Sequence, residues 1–185
     1  MKKTLLGLVG LAGSGKSTAI EIIQSELAVQ SIYFGGIVLA EAARQGLPPG
    51  QASEKQVREG LRTKDGMSAI AKLALPEIQE AFDDSSVVLV DGIYSWAEVE
   101  YLKEQGDFEL VLIAVHADRH LREERLGKRP IRPLTPEGVW SRDLNEVGAL
   151  DKATPIALAD HHITNNAGTE ELRQQLQPLI DKVRA

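Results

Sequence analysis

The 185-residue sequence contains no cysteine, which excludes disulfide bonds, thiol catalysis and cysteine-based zinc sites. It also lacks any apolar run near the roughly 18 residues that a membrane-spanning helix needs, so no membrane partner is expected. Lys2 and Lys3 precede a short apolar run, as in a signal peptide, but no small-residue cleavage site follows it. We therefore expect a cytoplasmic protein.

An excess of positive charge is absent as well, since the formal net charge is −6. Proteins that bind nucleic acids carry a broad basic face, so no nucleic-acid partner is expected. The basic residues that are present cluster between positions 119 and 132, at Arg119, Arg122, Arg125, Lys128, Arg129 and Arg132. A local basic cluster on an acidic protein favours a small anionic ligand.

Apolar runs alternate with helical patterns along the chain, without repeats or linkers. The runs at 5–10, 31–34, 87–90, 110–115 and 162–164 predict five strands, and helical patterns separate them. Ser53 and Ser95 each precede Gln or Glu by three residues, a capping-box spacing that predicts two helix starts, and Pro76 is expected to end or kink the helix at 67–82. Strands separated by helices predict one α/β domain over 1–185, with a parallel sheet covered on both faces.

The segment 10–17 reads GLAGSGKS and fits the pattern G-x-x-x-x-G-K-[ST] in full. The glycines let successive backbone N–H groups point at phosphate oxygens, Lys16 places a positive charge against the β- and γ-phosphates, and the Ser17 hydroxyl ligates Mg²⁺. A glycine-rich turn without a ligand is disfavoured, because the motif follows a predicted strand and opens a predicted helix. The expected nucleotide-binding residues are Gly10, Ala12, Gly13, Ser14, Gly15, Lys16, Ser17 and Thr18.

An acidic residue follows the apolar run 87–90, at the carboxyl end of the predicted strand. Open α/β sheets bind ligands at this edge, and P-loop sites use an acid there to hold Mg²⁺ or its waters. Asp91 and Ser17 are therefore the predicted metal-binding residues. The alternative is that Asp91 only caps the turn that follows.

Arg122, Arg125 and Arg129 are spaced three and four residues apart, so on a helix they share one face. Positioned arginines stabilise the charge that spreads over a phosphoryl group in transfer, and the proline-rich loop at 128–136 is expected to close over the triphosphate. The alternative is a solvated helix whose arginines pair with neighbouring acids.

Other polar residues are candidates for binding the phosphoryl acceptor and the purine base of the nucleotide. Arg44, Arg58 and Arg62 lie between the second and third predicted strands, where an acceptor pocket is expected, although each is also compatible with surface charge. Asn165 follows the last strand and is expected to contact the purine base of the bound nucleotide. The alternative is that it forms a plain turn. The four histidines do not favour a zinc site.

These motifs together resemble the nucleoside-monophosphate-kinase-like P-loop superfamily. The resemblance rests on the P-loop, on Val90-Asp91-Gly92, on the R-x-x-R-x-x-x-R helix and on Asn165. It is closer still to the mainly archaeal family described as dephospho-CoA-kinase-like or adenylate-kinase-like, and runs nearly the whole length, including segments 66–71, 140–143 and 156–160.

The resemblance implies a three-layer P-loop NTPase fold, with a five-stranded parallel sheet and helices on both faces. It also implies an acceptor-binding segment at about 36–82 and a small arginine-bearing lid at about 126–137. The sequence departs from the family pattern at two places, both in the part expected to bind the acceptor. Gly35 and Gly36 stand where the family has an acid, and Tyr94 stands near the position of an expected arginine.

We therefore expect an ATP- and Mg²⁺-dependent phosphotransferase, a nucleotide or nucleotide-like small-molecule kinase, with GTP as the alternative donor. The expected catalytic residues are Lys16, Asp91, Arg122, Arg125 and Arg129. The acceptor is the expected partner, and both a monomer and a homodimer are compatible with the sequence. The alternatives are a metabolite kinase and a nucleotide-dependent switch or ATPase without an acceptor, which the missing acceptor signature favours.

Overall fold

The computed structural model describes residues 2–105 and 107–184, with only the backbone of Gln51. In chain order its elements are β1 (Thr4–Val9), α1 (Lys16–Leu27), β2 (Ser31–Tyr33), α2 (Phe34–Arg44), α3 (Gln51–Asp65), α4 (Ala69–Asp84), β3 (Val87–Asp91), α5 (Trp96–Glu104), β4 (Glu109–His116), α6 (Arg119–Gly127), α7 (Pro136–Gly148), α8 (Ala153–Ala157), β5 (His161–Thr164) and α9 (Thr169–Arg184). Within the described ranges, each helix is too short or too polar to cross a bilayer.

The strands form one parallel sheet in the order β2-β3-β1-β4-β5. The register pairs Leu8 with Asp91 on one side of β1 and Val9 with Ala114 on the other. The carboxyl ends of the three central strands therefore lie side by side, and the loop after β1 begins next to Asp91. The predicted five-stranded parallel sheet is confirmed.

Helices cover both faces of the sheet because β1 is apolar at successive positions that point to opposite faces. Leu5 and Val9 pack in a core with α2, α3, α4 and α5. Leu6 and Leu8 pack on the opposite face with α1 and α9. This confirms the predicted three-layer architecture.

The structure contradicts a local prediction on α3, and of the two effects predicted for Pro76 in α4 it excludes the end of the helix, while a kink stays a prediction. Ser53 does not cap a helix, because α3 begins at Gln51, directly after Gly50, which has a positive φ of 154°. Ser53 is buried within the first turn. The helix at 67–82 does not end at Pro76, since α4 continues to Asp84. Its apolar face, with Ala74 and Ile78 fully buried around the proline, stabilises the helix through packing.

The capping box predicted at Ser95 is confirmed. The Ser95 hydroxyl accepts from the Glu98 backbone N–H at 3.3 Å, and the Glu98 carboxylate accepts from the Ser95 backbone N–H at 3.1 Å. The same carboxylate oxygen accepts from the Tyr94 N–H at 2.7 Å. The start of α5 therefore fixes the chain just beyond Asp91.

Candidate functional site

The loop between β1 and α1 is held from outside by side chains. Each carbonyl from Gly10 to Ser14 accepts a side-chain hydrogen bond: Lys16 Nζ donates to Gly10 (2.8 Å) and Leu11 (3.3 Å), Arg122 Nη1 to Ala12 (3.2 Å), Arg125 Nη1 to Gly13 (3.4 Å) and Asn165 Nδ2 to Ser14 (3.0 Å). Because a peptide group is planar, fixing its carbonyl also fixes its N–H. The directions of the loop N–H groups are thus set by the fold.

Two loop glycines are required by both conformation and space. Gly15 has φ 99°, and a Cβ there would lie 1.9 Å from Asn165 Nδ2. Gly10 has φ 145°, and its Cβ would lie 2.3 Å from the Val115 carbonyl oxygen. These are conformations that residues with a side chain rarely adopt.

Lys16 and Asp91 lie close enough for each to shift the pKa of the other. The pKa of Lys16 is lowered from 10.5 to about 7, mainly by burial and in part by Lys152, while Asp91 opposes the shift. Burial raises the pKa of Asp91, against the opposing effects of Lys16, Lys152 and a hydrogen bond from the Gly92 backbone N–H. The predicted phosphate-binding lysine and the predicted metal-binding acid therefore share one partly desolvated site.

The residues predicted to bind Mg²⁺ fit a site with few protein ligands. Ser17 is exposed in the first turn of α1, and Asp91 is half-buried at the end of the adjacent strand. The described residues contain no group of three or more His, Asp or Glu side chains that could hold a metal. Mg²⁺ is usually held by one or two carboxylates with phosphate and water oxygens, which matches this donor set.

A polar cluster joins α7 to the start of α8, and its Lys152 lies close enough to Asp91 to lower the pKa of that carboxyl. The sequence did not predict this cluster. The Glu146 carboxylate accepts from Arg142 Nε and from Lys152 Nζ, each at 2.8 Å. Lys152 Nζ also lies 4.4 Å from the centroid of the Tyr94 ring. Burial lowers the pKa of Lys152, whereas Glu146 raises it. In sequence, the i,i+4 spacing of Arg142 and Glu146 only indicates a helix-surface pair.

The structure separates the three arginines predicted from α6. Arg122 is buried, and its guanidinium binds both carboxylate oxygens of Asp143, at 2.9 and 2.6 Å. Arg125 contacts the P-loop and donates through Nη2 to the Asn165 carbonyl at 2.8 Å. Arg129 lies beyond the end of α6 and is exposed. Two of the three are thus brought to the P-loop, where they support the loop backbone.

Asn165 also contacts the loop backbone. Its side chain donates to Ser14, and its own N–H donates to the His116 carbonyl at 2.7 Å. The residue is buried, so it joins the end of β5 to the P-loop. Its predicted contact with a base stays a prediction.

The three predicted acceptor residues lie in different surroundings. Arg62 is almost buried, with Nη2 3.9 Å from Glu98 Oε1, and its Nε and Nη2 find no hydrogen-bond partner among the described residues. Arg58 is half-buried and acts on the pKa values of Arg62 and Tyr94. Arg44 is exposed on α2 and donates from Nε to Glu41 at 2.7 Å. Arg58 and Arg62 thus approach the site beside Tyr94, and Arg44 does not.

Gly35, one of the two glycines that replace the expected acid after β2, has a local explanation. A Cβ on Gly35 would lie 2.2 Å from Cζ of the Tyr33 ring, so this ring occupies the space that a side chain at 35 would need. Gly35 and Gly36 form the first turn of α2, which begins earlier than the sequence predicts.

The loop between α6 and α7 connects the P-loop to α3. Leu134 packs with Ala12, Leu126 and Val139, and its N–H donates to the Leu126 carbonyl at 3.1 Å. Arg132 Nη2 lies 3.1 Å from Glu54 Oε1 of α3. The predicted lid therefore contacts both the P-loop and the predicted acceptor segment.

The sequence matches known proteins over nearly its whole length. The family model described as "AAA domain" matches residues 9–137. A UPF0200 protein of Thermococcus onnurineus is 32% identical over 182 residues, which cover 96% of this chain and 97% of the relative. A UPF0200/UPF0201 protein of Archaeoglobus fulgidus is 34% identical over 186 residues, and the match covers 99% of this chain but only 57% of that longer relative.

Solved structures with a similar fold include small-molecule kinases. Shikimate kinase from Bacteroides thetaiotaomicron aligns with a TM-score of 0.58 and 17% identity, covering 96% of this chain and 98% of that one. A gluconokinase from Sinorhizobium meliloti aligns with a TM-score of 0.55 and 14% identity, covering 100% and 98%. At these identities the likeness shows a shared P-loop kinase fold alone.

Proposed function

We propose, on the premise that the chain belongs to the UPF0200 proteins and to the AAA-domain family, that it is an ATP- and Mg²⁺-dependent phosphotransferase acting on a small molecule. The observation that carries the proposal is that Lys16 and Asp91 lie near a second buried cation, Lys152, which shifts the pKa of both. A P-loop alone explains nucleotide binding. A further desolvated cation facing the acid favours stabilisation of a phosphoryl group in transfer.

Each residue then has a stated task. The loop N–H groups and Lys16 bind the phosphates, and Lys152 neutralises charge on the group being transferred. Asp91 and Ser17 would hold Mg²⁺, which supplies charge neutralisation and alignment of the phosphates when bound. Arg122 and Arg125 keep the loop in position through its carbonyls. We assign the last two a positioning role, because each reaches the loop from α6 and donates to one of its backbone carbonyls.

The acceptor is proposed to bind between Tyr94 and α3. Arg58 and Arg62 supply positive charge there, which suits an acceptor carrying a phosphate or carboxylate, such as a nucleotide-like molecule. A phosphate acceptor needs no general base, whereas a hydroxyl acceptor needs one. Asp91, whose pKa burial raises, is the candidate base.

A second candidate is a nucleotide-dependent ATPase or switch without an acceptor. Its support is the missing acid on the acceptor side. The related kinases are expected to have an acidic residue after β2, whereas here the Tyr33 ring fills the space over Gly35. The two candidates differ in one measurable property, because only a kinase consumes ATP faster when its acceptor is added.

A coupled ADP-release screen distinguishes the two candidates. The purified protein would be assayed with Mg·ATP and Mg·GTP against nucleoside monophosphates, dephospho-CoA and hydroxylated metabolites. The kinase proposal expects one acceptor to stimulate ADP release and Lys16→Ala to abolish it, with exposed Lys182→Ala on α9 as the matched control. Basal hydrolysis that no acceptor changes would select the switch.

A further inference from the structure

Apart from the proposed phosphoryl-transfer site, a cavity lies beside the P-loop, on the side of β4 and β5. Its volume is about 320 Å³, and its walls come from the P-loop, the ends of β4 and β5, and helices α6, α7 and α8. Leu11, Val147, Ile156 and Ala157 make most of the wall apolar. The volume is about twice the roughly 150 Å³ that holds benzene in an engineered apolar cavity, so it accommodates two fused rings.

This cavity is distinct from the proposed phosphoryl-transfer site. Lys16, Asp91 and Lys152 are not among the described residues that line it. The P-loop contributes Leu11 and Ser14 instead. A ligand in the cavity therefore touches the back of the loop and leaves the site around Lys16 and Asp91 free.

The polar groups of the cavity fit a neutral ligand. Arg122 is the charged residue among the described lining, and its guanidinium is already bound by Asp143 and the Ala12 carbonyl. Burial and the neighbouring His162 lower the pKa of His116, which favours its neutral form. A charged ligand would lose its hydration in this cavity without gaining a free counter-charge.

Two features give the cavity hydrogen-bonding and stacking capacity. The Ser14 hydroxyl is buried, and it has no hydrogen-bond partner among the described residues. A buried polar group without a partner is costly, and a ligand that supplies one removes that cost. His116 and His162 stack at the rim, with Nε2 of the first 3.1 Å from Nδ1 of the second, and present aromatic surface.

We propose that this cavity is a second ligand site for a neutral, mainly apolar compound of about two fused rings with one N–H that donates to the Ser14 hydroxyl. The ligand packs between Leu11 of the P-loop and Ile156 of α8, and the stacked histidines cover its edge. Because it contacts the P-loop from behind, its binding is coupled to nucleotide binding, and by linkage each ligand changes the affinity of the other by the same factor.

Indole is the probe for this site, since it is a neutral two-ring compound with a single N–H. Calorimetric titration of the full chain at pH 7 should give saturable one-to-one uptake. Indene has the same ring size without the N–H, and we expect it to bind about fivefold more weakly, the worth of a single hydrogen bond. Mg·ATP should remain able to bind the indole-loaded protein, with an affinity that differs from that of the free protein.

Two variants of neighbouring residues test the location. Ala157→Phe adds a ring at the cavity wall and should weaken indole binding at least tenfold, whereas Leu158→Phe, at the next position and outside the cavity lining, should leave it unchanged. Indole-induced amide NMR shifts in the wild-type protein, expected at Ser14 and Ala153, test the location without a substitution. The proposal is overturned by no saturable uptake, by equal effects of the two variants, or by simple competition, in which rising Mg·ATP raises the apparent Kd of indole without limit. None of these outcomes bears on the kinase proposal.

Discussion

Arg122 and Asp143 form a buried bidentate ion pair, with guanidinium nitrogens 2.9 and 2.6 Å from the two carboxylate oxygens. Arg122 Nη1 also donates to the Ala12 carbonyl. One guanidinium therefore ties α6 to α7 and both helices to the P-loop. The sequence interpretation assigned Arg122 to the reacting phosphates, but its partner lies 21 residues further on, at a separation that no local pattern reveals.

Breaking this pair should be costly. Asp143→Ala leaves the Arg122 charge buried without its partner, and we expect a loss of about 3–5 kcal/mol in the free energy of unfolding, measured by urea denaturation. Glu124→Ala removes the exposed partner of Lys128 on α6 and should have no measurable effect. The double variant Arg122→Met with Asp143→Leu should lose less free energy of unfolding than Asp143→Ala alone, because it leaves no buried charge without a partner. Equal losses in the two single variants would contradict this assignment.

Nucleotide binding should take up a proton above pH 7. Because the pKa of Lys16 is lowered to about 7, the free protein loses the ammonium charge as the pH rises through this value, whereas bound phosphates favour the charged form. Affinity for ATP should therefore fall from pH 7 to pH 9. Calorimetry in buffers of different ionisation enthalpy measures the proton uptake. Lys16→Arg, which stays charged, serves as the control, and binding heats independent of the buffer in the wild type would refute the assignment.

Glu98 should make stability depend on pH in the mildly acidic range. Burial raises its pKa from 4.5 to about 7, so the folded protein binds more protons than the unfolded chain between these values. The free energy of unfolding should consequently fall as the pH rises through this window. Glu98→Gln keeps an oxygen acceptor for the backbone N–H groups and should flatten the curve.

The control for that measurement is Glu100→Gln, at an exposed position of the same helix. Its pH profile should follow that of the wild-type protein. A Glu98→Gln profile that also follows the wild type would show that Glu98 does not titrate in this range.

Replacing glycine by alanine should have opposite effects on stability in the P-loop and in the interior of a helix. Gly15→Ala places a Cβ against the Asn165 amide at a positive φ, so we expect loss of ATP binding and lower stability. Gly60→Ala, in the interior of α3 with open space around it, should stabilise the protein by about 0.5–1 kcal/mol. Thermal unfolding and ATP titration measure both effects. Normal ATP binding by the Gly15→Ala variant would contradict the described loop packing.

Lys152 should matter more for turnover than for nucleotide affinity. Lys152→Met keeps the length of the side chain but removes the charge, and we expect kcat to fall about 10²–10³-fold while the KM for ATP changes less. Lys152→Arg should retain more activity because it keeps the charge, and exposed Lys128→Met should match the wild type. A change in KM alone would assign Lys152 to ground-state binding.

The sheet, the P-loop and the position of Asp91 beside it could be predicted because their signals are local. The P-loop spacing and the apolar run before Asp91 lie within a few residues of the groups that they position. The matches to archaeal relatives confirm the predicted resemblance to a mainly archaeal P-loop family. The capping boxes show the limit of local signals, since Ser53 and Ser95 have the same spacing and only Ser95 caps a helix.

The second half of the site could not be predicted, because it depends on tertiary contacts. Lys152 reaches Glu146 through a turn in which Asp151 has φ 56°, and the Asp151 carboxylate accepts from the Trp96 N–H of α5 at 3.2 Å. This turn joins elements 55 residues apart in sequence. The chain around 151 gives no pattern that predicts it.

Transfer of the γ-phosphoryl group to a small molecule is the central claim, and ³¹P NMR observes it directly. The protein would be incubated with Mg·ATP and the acceptor that stimulates ADP release, or the pooled acceptors, beside the Lys16→Ala variant. We predict a new phosphorus resonance from a phosphorylated product, growing as that of ATP declines, and absent with the variant. ATP that stays intact, or that yields only ADP and inorganic phosphate with every acceptor, would contradict the account.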